Sequence, residues 1–126
     1  MARNALQPDG MPKPRFPYSP VVVSGDLVYT AGQVAQDAEG SLVSGGIEVQ
    51  TRQVLENIRA CVEAAGCTLD DVIKVNAFLA NLADFEGYNT VYREFFGEPY
   101  PARTSVQAGL PPGILVEIEA VARRSS

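Results

Sequence analysis

The nine residues Ile114-Leu115-Val116-Glu117-Ile118-Glu119-Ala120-Val121-Ala122 separate cleanly by parity. Ile114, Val116, Ile118, Ala120 and Ala122 are all apolar, whereas Leu115, Glu117, Glu119 and Val121 mix two acids with two aliphatics. Successive side chains of an extended strand point to opposite faces, so a strand over 114–122 has one face that must be covered by helices. Its other face is too apolar for water and too charged for a dry core. Such a strand belongs in a sheet with helices on one side only, and an oligomer closing sheet face against sheet face, with the acids near the seam, would cover the other.

The rest of the chain supplies that architecture. "VVVSGDLVYTAGQ" reads as two short strands about a Ser24-Gly25-Asp26 turn. Residues 48–65 place Val54 or Leu55, Ile58, Val62 and Ala65 at spacings of three and four, an amphipathic helix that Gly66 is placed to end. Thr68 and Asp71 suit a cap, and "VIKVNAFLA" sets Ile73, Val75, Ala77 and Leu79 against Lys74, Asn76 and Phe78, a strand with one buried face. Asn81 opens a second helix over 82–96, with Phe85, Tyr88, Val91 or Tyr92, and Phe95 as its stripe, weakened at Gly87 and closed by Gly97 and Pro99. A strand near 103–108, a Leu110-Pro111-Pro112-Gly113 connection and the strand 114–122 complete the order β-β-α-β-α-β-β. The expected class is α/β (α+β), one sheet with two helices on one face. Five of the nine prolines lie at 8, 12, 14, 17 and 20, so residues 1–20 are expected to form an extended, irregular arm. At 126 residues the chain is expected to be one domain, 1–126, because two halves would each bury too little surface.

Composition removes several function classes. A net charge of -5 and the lack of any basic block argue against nucleic acid as a partner, leaving Arg123-Arg124 as a small solvated tail. No apolar run is long enough to span a bilayer and the first twenty residues lack a signal-peptide core, so a soluble cytoplasmic protein without membrane contact is expected. Cys61 and Cys67 do not make a disulfide framework, and with no histidine a metal site would need unusual ligands. The lysines are only Lys13 and Lys74, which disfavours Schiff-base chemistry. Gly45-Gly46 is neither a phosphate loop nor a dinucleotide fingerprint. Neither a cofactor nor a metal is expected.

The candidates that remain are few. Arg103 shares parity with Ser105 and Gln107 at a strand entrance, and a guanidinium is a planar fork of donors suited to a carboxylate. Its alternative role is a salt bridge to Glu117 or Glu119 across a hairpin of the last two strands. Glu117 and Glu119 point to one side about 6 to 7 Å apart, able to polarise a water or carry a proton, or else simply solvated. Tyr18 is a phenol in the proline-rich arm, where it binds a ligand or covers an edge of the core. Thr30-Ala31-Gly32-Gln33 ends the first hairpin with small residues that permit close approach and leave backbone amides for a ligand.

Taken together, "PARTSVQAGLPPGILVEIEA", "SPVVVSGDLVYTAGQV", "TRQVLENIRACVEAAG" and "DVIKVNAFLANLADFEGYNTVYREFF" closely resemble the Rid family, the reactive intermediate deaminases or YjgF-like proteins, over nearly the whole chain. The resemblance implies a chorismate-mutase-like fold, a homotrimer with three clefts between subunits, and cofactor-free hydrolysis of 2-enamine and 2-imine acids of the 2-aminoacrylate or 2-iminopropanoate type to a 2-keto acid and ammonia. It implies that Arg103 clamps the substrate carboxylate, Glu117 helps to position water, and Tyr18 closes over the cleft with Asn89 nearby. Ala31, where several members have a ligand-binding serine, and Gly32 would line the site. Ser105 stands where many members have cysteine. Because the family also holds members without known catalysis, a module that binds a small acid or a protein through the same cleft is the alternative from another class.

Overall fold

The computed structural model describes residues 3–125. Its strands are β1 (Asn4–Leu6), β2 (Val21–Ser24), β3 (Leu27–Thr30), β4 (Val72–Leu79), β5 (Ala102–Gln107) and β6 (Val116–Arg123), with helices α1 (Ile47–Ala64) and α2 (Phe85–Phe95). They form one six-stranded sheet in the order β1-β2-β3-β6-β4-β5. Only β4 and β5 run parallel, joined by the crossover helix α2 as a parallel pair requires.

The parity of β6 is realised as its sequence demands. Val116, Ile118, Ala120 and Ala122 are buried, and Glu117, Glu119 and Val121 are only half-buried on the opposite face. Val54, Leu55, Ile58 and Val62 of α1 pack on the buried side together with Val21, Val28, Val75 and Leu79, all fully inaccessible. Burying a side chain of this kind is worth about 1.5–3 kcal/mol, which makes this layer the main source of cohesion. Helix α1 ends in the Schellman pattern: Gly66 adopts φ +83°, its N–H donates to Glu63 O, and Cys67 N–H reaches back to Val62 O at 2.9 Å. Two buried amides of α1 also tie loops to the core. Gln50 donates to Gly113 O and accepts from Leu115 N–H, and Asn57 donates to Val34 O and Gln36 O.

Four features depart from the sequence expectation. The sheet has six strands, not five, because residues 4–6 of the expected arm pair with β2 at the sheet edge. They precede Pro8, so they keep the N–H donors that the proline-rich stretch behind them lacks. Ile73 is exposed and not on the inner face of β4. A bulge between Val72 and Lys74 inserts Ile73 as the extra residue, and Val72 and Val75 both turn inward. In α2, Tyr88, Val91 and Tyr92 are buried, but Phe85 lies exposed at the helix start and Phe95 packs only partly, beneath the Arg59 guanidinium. Finally, β5 and β6 are not a hairpin: β4 lies between them. Among the described residues no helix is long and apolar enough to cross a membrane.

Gly87 does more than weaken a helix. A Cβ there would sit 2.6 Å from Ile47 Cγ2, so its hydrogen is what lets α2 approach the first turn of α1. Ala is the better helix former by about 1 kcal/mol, but overpacking against a stiff β-branched side chain costs about 1–3 kcal/mol. Gly87→Ala is expected to lower the urea midpoint by the equivalent of about 1 kcal/mol at unchanged m-value. A rise in midpoint would show that Ile47 yields and the contact is soft.

Candidate functional site

Arg103, Ser105 and Gln107 face Val75, Ala77 and Leu79 in the parallel β4–β5 register, and those three β4 side chains are buried under the helices. Directly paired residues share a face, so the β5 trio projects to the helix side, where α2 and the turn that precedes it meet them. Gln107 Oε1 accepts the Leu82 N–H at 2.9 Å just before α2. Ser105 Oγ shares a 3.1 Å hydrogen bond with the Tyr88 hydroxyl. Arg103 Nη1 donates to Asn89 Oδ1 at 2.7 Å.

The guanidinium is also held by aromatic faces. Its Cζ lies 4.6 Å from the Tyr92 ring centroid, 5.1 Å from Tyr88 and 5.8 Å from Phe85. Cation–π contacts of this kind contribute about 0.5–2 kcal/mol each. Burial pushes the Tyr88 phenol up, opposed by its Ser105 hydrogen bond and by the charge of Arg103, and pushes Tyr92 up to about 12, so both rings stay neutral beside the cation. Among the described residues Arg103 has no acidic partner. The salt bridge to Glu117 or Glu119 is therefore not made, because β4 separates β5 from β6. Arg103 opens into a depression of about 330 Å³ lined by Asn89, Tyr92, Arg93, Tyr100, Pro101 and itself. Such a fork, oriented by Asn89 and its rings and free of any carboxylate, is suited to hold one from a ligand.

Glu117 belongs to a second cluster. It pairs with Phe78, and Glu119 with Asn76, positions of β4 that alternate with Val75, Ala77 and Leu79. Both acids consequently stand on the face away from the helices, and within one chain Arg103 and Glu117 lie on opposite sides of the sheet. Gly32 fits this second site by lacking a side chain, since a Cβ there would collide with the Glu117 carboxylate. Not all the amides of the Ala31–Gln33 stretch are available, however. Ala31 N–H donates to Pro20 O at 2.9 Å and Gln33 N–H to Ile118 O at 2.7 Å, which leaves the Gly32 N–H without a backbone acceptor among the described residues. Asn76 Nδ2 donates to Glu119 Oε2 at 3.1 Å and holds that carboxylate on the same face as Glu117. Burial first, and the Glu119 charge second, raise the Glu117 carboxyl above the usual range, which suits it to carry a proton or polarise a water.

Tyr18 falls in a third place. It is 54 % exposed and does not pack against the core cluster, and it lines a groove with Lys13, Arg15, Phe16, Gln36 and Glu39, apart from both clusters. The structure thus brings Arg103, Asn89 and Ser105 together, and separately Gly32 and Glu117 beside Ala31. Sequence reading missed the aromatic cradle because Phe85, Tyr88 and Tyr92 carry the same spacing as a core stripe. It also missed Arg93 and Tyr100. The available signal for Arg93 was its position four residues after Asn89 on one helix. Cys61 is an inert core thiol, pushed up to about 12 by burial.

With this geometry in view, comparison with known proteins is specific. The family model described as Endoribonuclease L-PSP matches residues 9–124. A RutC family protein of Pyrococcus horikoshii is 49% identical over 116 residues, 90% of this chain and 92% of that protein. The human protein named 2-iminobutanoate/2-iminopropanoate deaminase is 41% identical over 108 residues, 84% of this chain and 79% of the relative. The crystal structure of RidA from the Antarctic bacterium Psychrobacter sp. superposes with a TM-score of 0.90 at 43% identity, covering 96% of this chain and 99% of that one. The chain belongs to this family, the Rid or YjgF-like proteins, whose fold it shares.

The electrostatics of the acid pair can be tested without any substrate. Glu119→Gln removes the like charge that helps hold the Glu117 proton, while burial of Glu117 remains. The Glu117 titration, followed by carboxyl carbon NMR, is expected to move to lower pH yet stay above that of an exposed glutamate. An unchanged midpoint would leave burial as the sole cause of the upward shift.

Proposed function

We propose that this protein is a hydrolytic deaminase of short 2-enamine and 2-imine acids, working in clefts between the copies of a homotrimer. The observation that carries the reading is the pair of half-sites on opposite faces of one sheet. Among the described residues Arg103 is an oriented carboxylate receptor with no acidic partner, and Glu117 is an acid of raised proton affinity on the sheet face opposite the helices. One copy cannot bring them to one substrate, whereas a neighbour that lays its Glu117 face against the Arg103 edge can. The names of the relatives agree with the chemistry: the human protein is a 2-iminobutanoate/2-iminopropanoate deaminase by name.

In this cleft Arg103 holds the carboxylate next to the imine carbon, with Asn89 and the Tyr88 and Tyr92 rings fixing the fork. Glu117 of the neighbouring copy, above the amide of Gly32, takes a proton from water as the oxygen adds to the protonated C=N bond. Glu117 returns that proton to the amine nitrogen of the tetrahedral amino-alcohol, the C–N bond breaks to release ammonia, and the hydroxyl proton passes to solvent water as the C=O of the keto acid forms, with no change of oxidation state. A protonated imine is already electrophilic, so holding and orienting the reactants about 3 Å apart meets most of the catalytic demand. Ser105 and Ala31 line the cleft, the first with a hydroxyl tied to Tyr88 and the second without a donor. Tyr18, which lies apart from both half-sites within its own chain, closes over the cleft from the arm once copies assemble.

Light scattering at micromolar concentration is expected to give about three times the 13.5 kDa chain mass, and a monomer would leave each half-site alone. For activity, imines are generated in situ with an amino-acid oxidase, residual imine is trapped with semicarbazide, and its decay is compared with and without protein. Arg103→Ala should lose about 2–4 kcal/mol of transition-state stabilisation, roughly 30- to 1000-fold in kcat/KM. Arg103→Lys should recover only part of it, since an ammonium keeps the charge without the fork. Wild type indistinguishable from buffer across small, branched and aromatic imines would leave no deaminase. Equal rates for wild type and a trimeric R103A would remove Arg103 from the site.

A further inference from the structure

The depression beside Arg103 carries a second guanidinium. Arg93 lies one turn beyond Asn89 on α2, with Cβ atoms of such a pair about 5–6 Å apart, and Asn89 is the residue to which Arg103 donates. The six lining residues hold two formal positive charges and no acid, in a chain whose net charge is -5. Four of the six other arginines have partners. Arg52 pairs with Glu94, Arg59 with Glu56 and Arg123 with Asp26, and Arg124 donates to Gly25 O. Among the described residues Arg93 and Arg103 have no acidic partner, and Glu94, the acid next to Arg93, is directed to Arg52 on α1. Two cations gathered at one small depression repel each other, and an anion of charge two relieves both.

We propose that the cleft takes 2-imino dicarboxylic acids of four or five carbons, with Arg103 on the carboxylate beside the imine carbon and Arg93 on the distal one. The proposal rests on the deaminase reading above and adds to it the identity of the substrate side chain. Carboxylate carbons at the two ends of such a chain lie about 4 to 5 Å apart, short enough for both to enter the one depression that Arg103 of β5 and Arg93 of α2 line. Tyr100 and Pro101 form the wall against which the intervening methylenes lie. Water adds to the imine carbon and ammonia leaves, as for the shorter acids, so the product is a 2-keto dicarboxylate.

The test compares 2-iminosuccinate and 2-iminoglutarate with 2-iminopropanoate, each generated in situ by oxidase from aspartate, glutamate or alanine. The readout is the ratio of kcat/KM, dicarboxylate over monocarboxylate. Wild type is expected to favour a dicarboxylate by at least about tenfold, and Arg93→Gln to lower the ratio about 10- to 100-fold. Arg93→Lys should restore part of it. Calorimetric binding of oxaloacetate, 2-oxoglutarate, pyruvate and inorganic phosphate gives a readout that needs no turnover, with Arg93-dependent preference for a dicarboxylate expected. Hydrolysis of 2-iminopropanoate with no dicarboxylate preference in either assay would overturn this proposal and leave the deaminase intact. Selective, Arg93-dependent dicarboxylate binding without hydrolysis of any imine would do the reverse. Phosphate binding as tightly as oxaloacetate, or an R93Q protein of altered mass with an unchanged ratio, would also overturn it, the latter by assigning Arg93 to an acid of the neighbouring copy.

Discussion

β4 lies between β5 and β6, parallel to the first and antiparallel to the second. From this pairing follows almost everything specific about the molecule. It places the buried residues Val75, Ala77 and Leu79 in register with Arg103, Ser105 and Gln107, and Asn76 and Phe78 in register with Glu119 and Glu117. The period of two along β4 then sends the arginine and the acids to opposite faces without any further choice. The bulge at Ile73 belongs to the same constraint. Without the extra residue Val72 would turn outward, and the inner face of β4 would lose a contact with the helix layer.

The consequences for electrostatics are equally direct. Opposite charges that would quench one another as a salt bridge are kept apart by a full sheet thickness. Arg103 is instead steadied by neutral groups: one amide oxygen and three ring faces. Glu117 is steadied by none, and desolvation together with Glu119 keeps its carboxyl inclined to hold a proton. An arginine with unspent donors and an acid with a raised affinity for protons are the two complements a carboxylate-bearing imine calls for, which is why the proposed cleft needs two copies of the chain.

Much of this was legible in the linear sequence. Helix α1 lies within one residue of its expected bounds, α2 starts three residues late because Leu82–Asp84 form a separate 3-10 turn, the Gly25 turn and the Gly66 stop occur where expected, and the expected parity holds over Val116–Ala122, with Ile114 and Leu115 left outside β6. Local signals suffice for these because each depends on neighbours within four positions. Strand β1 was hidden because three residues ahead of a proline-rich arm carry no pattern of their own and pair only because the edge of β2 is there. Tyr88 is core as its spacing suggests and cradle as well, and Phe85 is cradle only; the two roles share one spacing, and only the arrival of Arg103 from a strand remote in sequence reveals the second. The hairpin expected between the last two strands failed for a related reason. Adjacency in sequence favours pairing, but the parallel crossover through α2 seats β5 on the far side of β4.

By itself, the sequence determined every strand and helix but β1, the single-sided helix layer, the family, and the identity of the residues that carry the candidate chemistry: Arg103, Glu117 and Glu119, in a chain without histidine. Those are properties of residue type and short-range period. Only the tertiary structure decided that Arg103 and Glu117 stand on opposite faces, that the Gly32 amide is the one left without a backbone acceptor beside Glu117, and that Arg93 joins Arg103 at one depression. Each of these depends on strand order and on which helix crosses which edge, and such long-range choices are made by packing the whole core and leave no local periodicity to read.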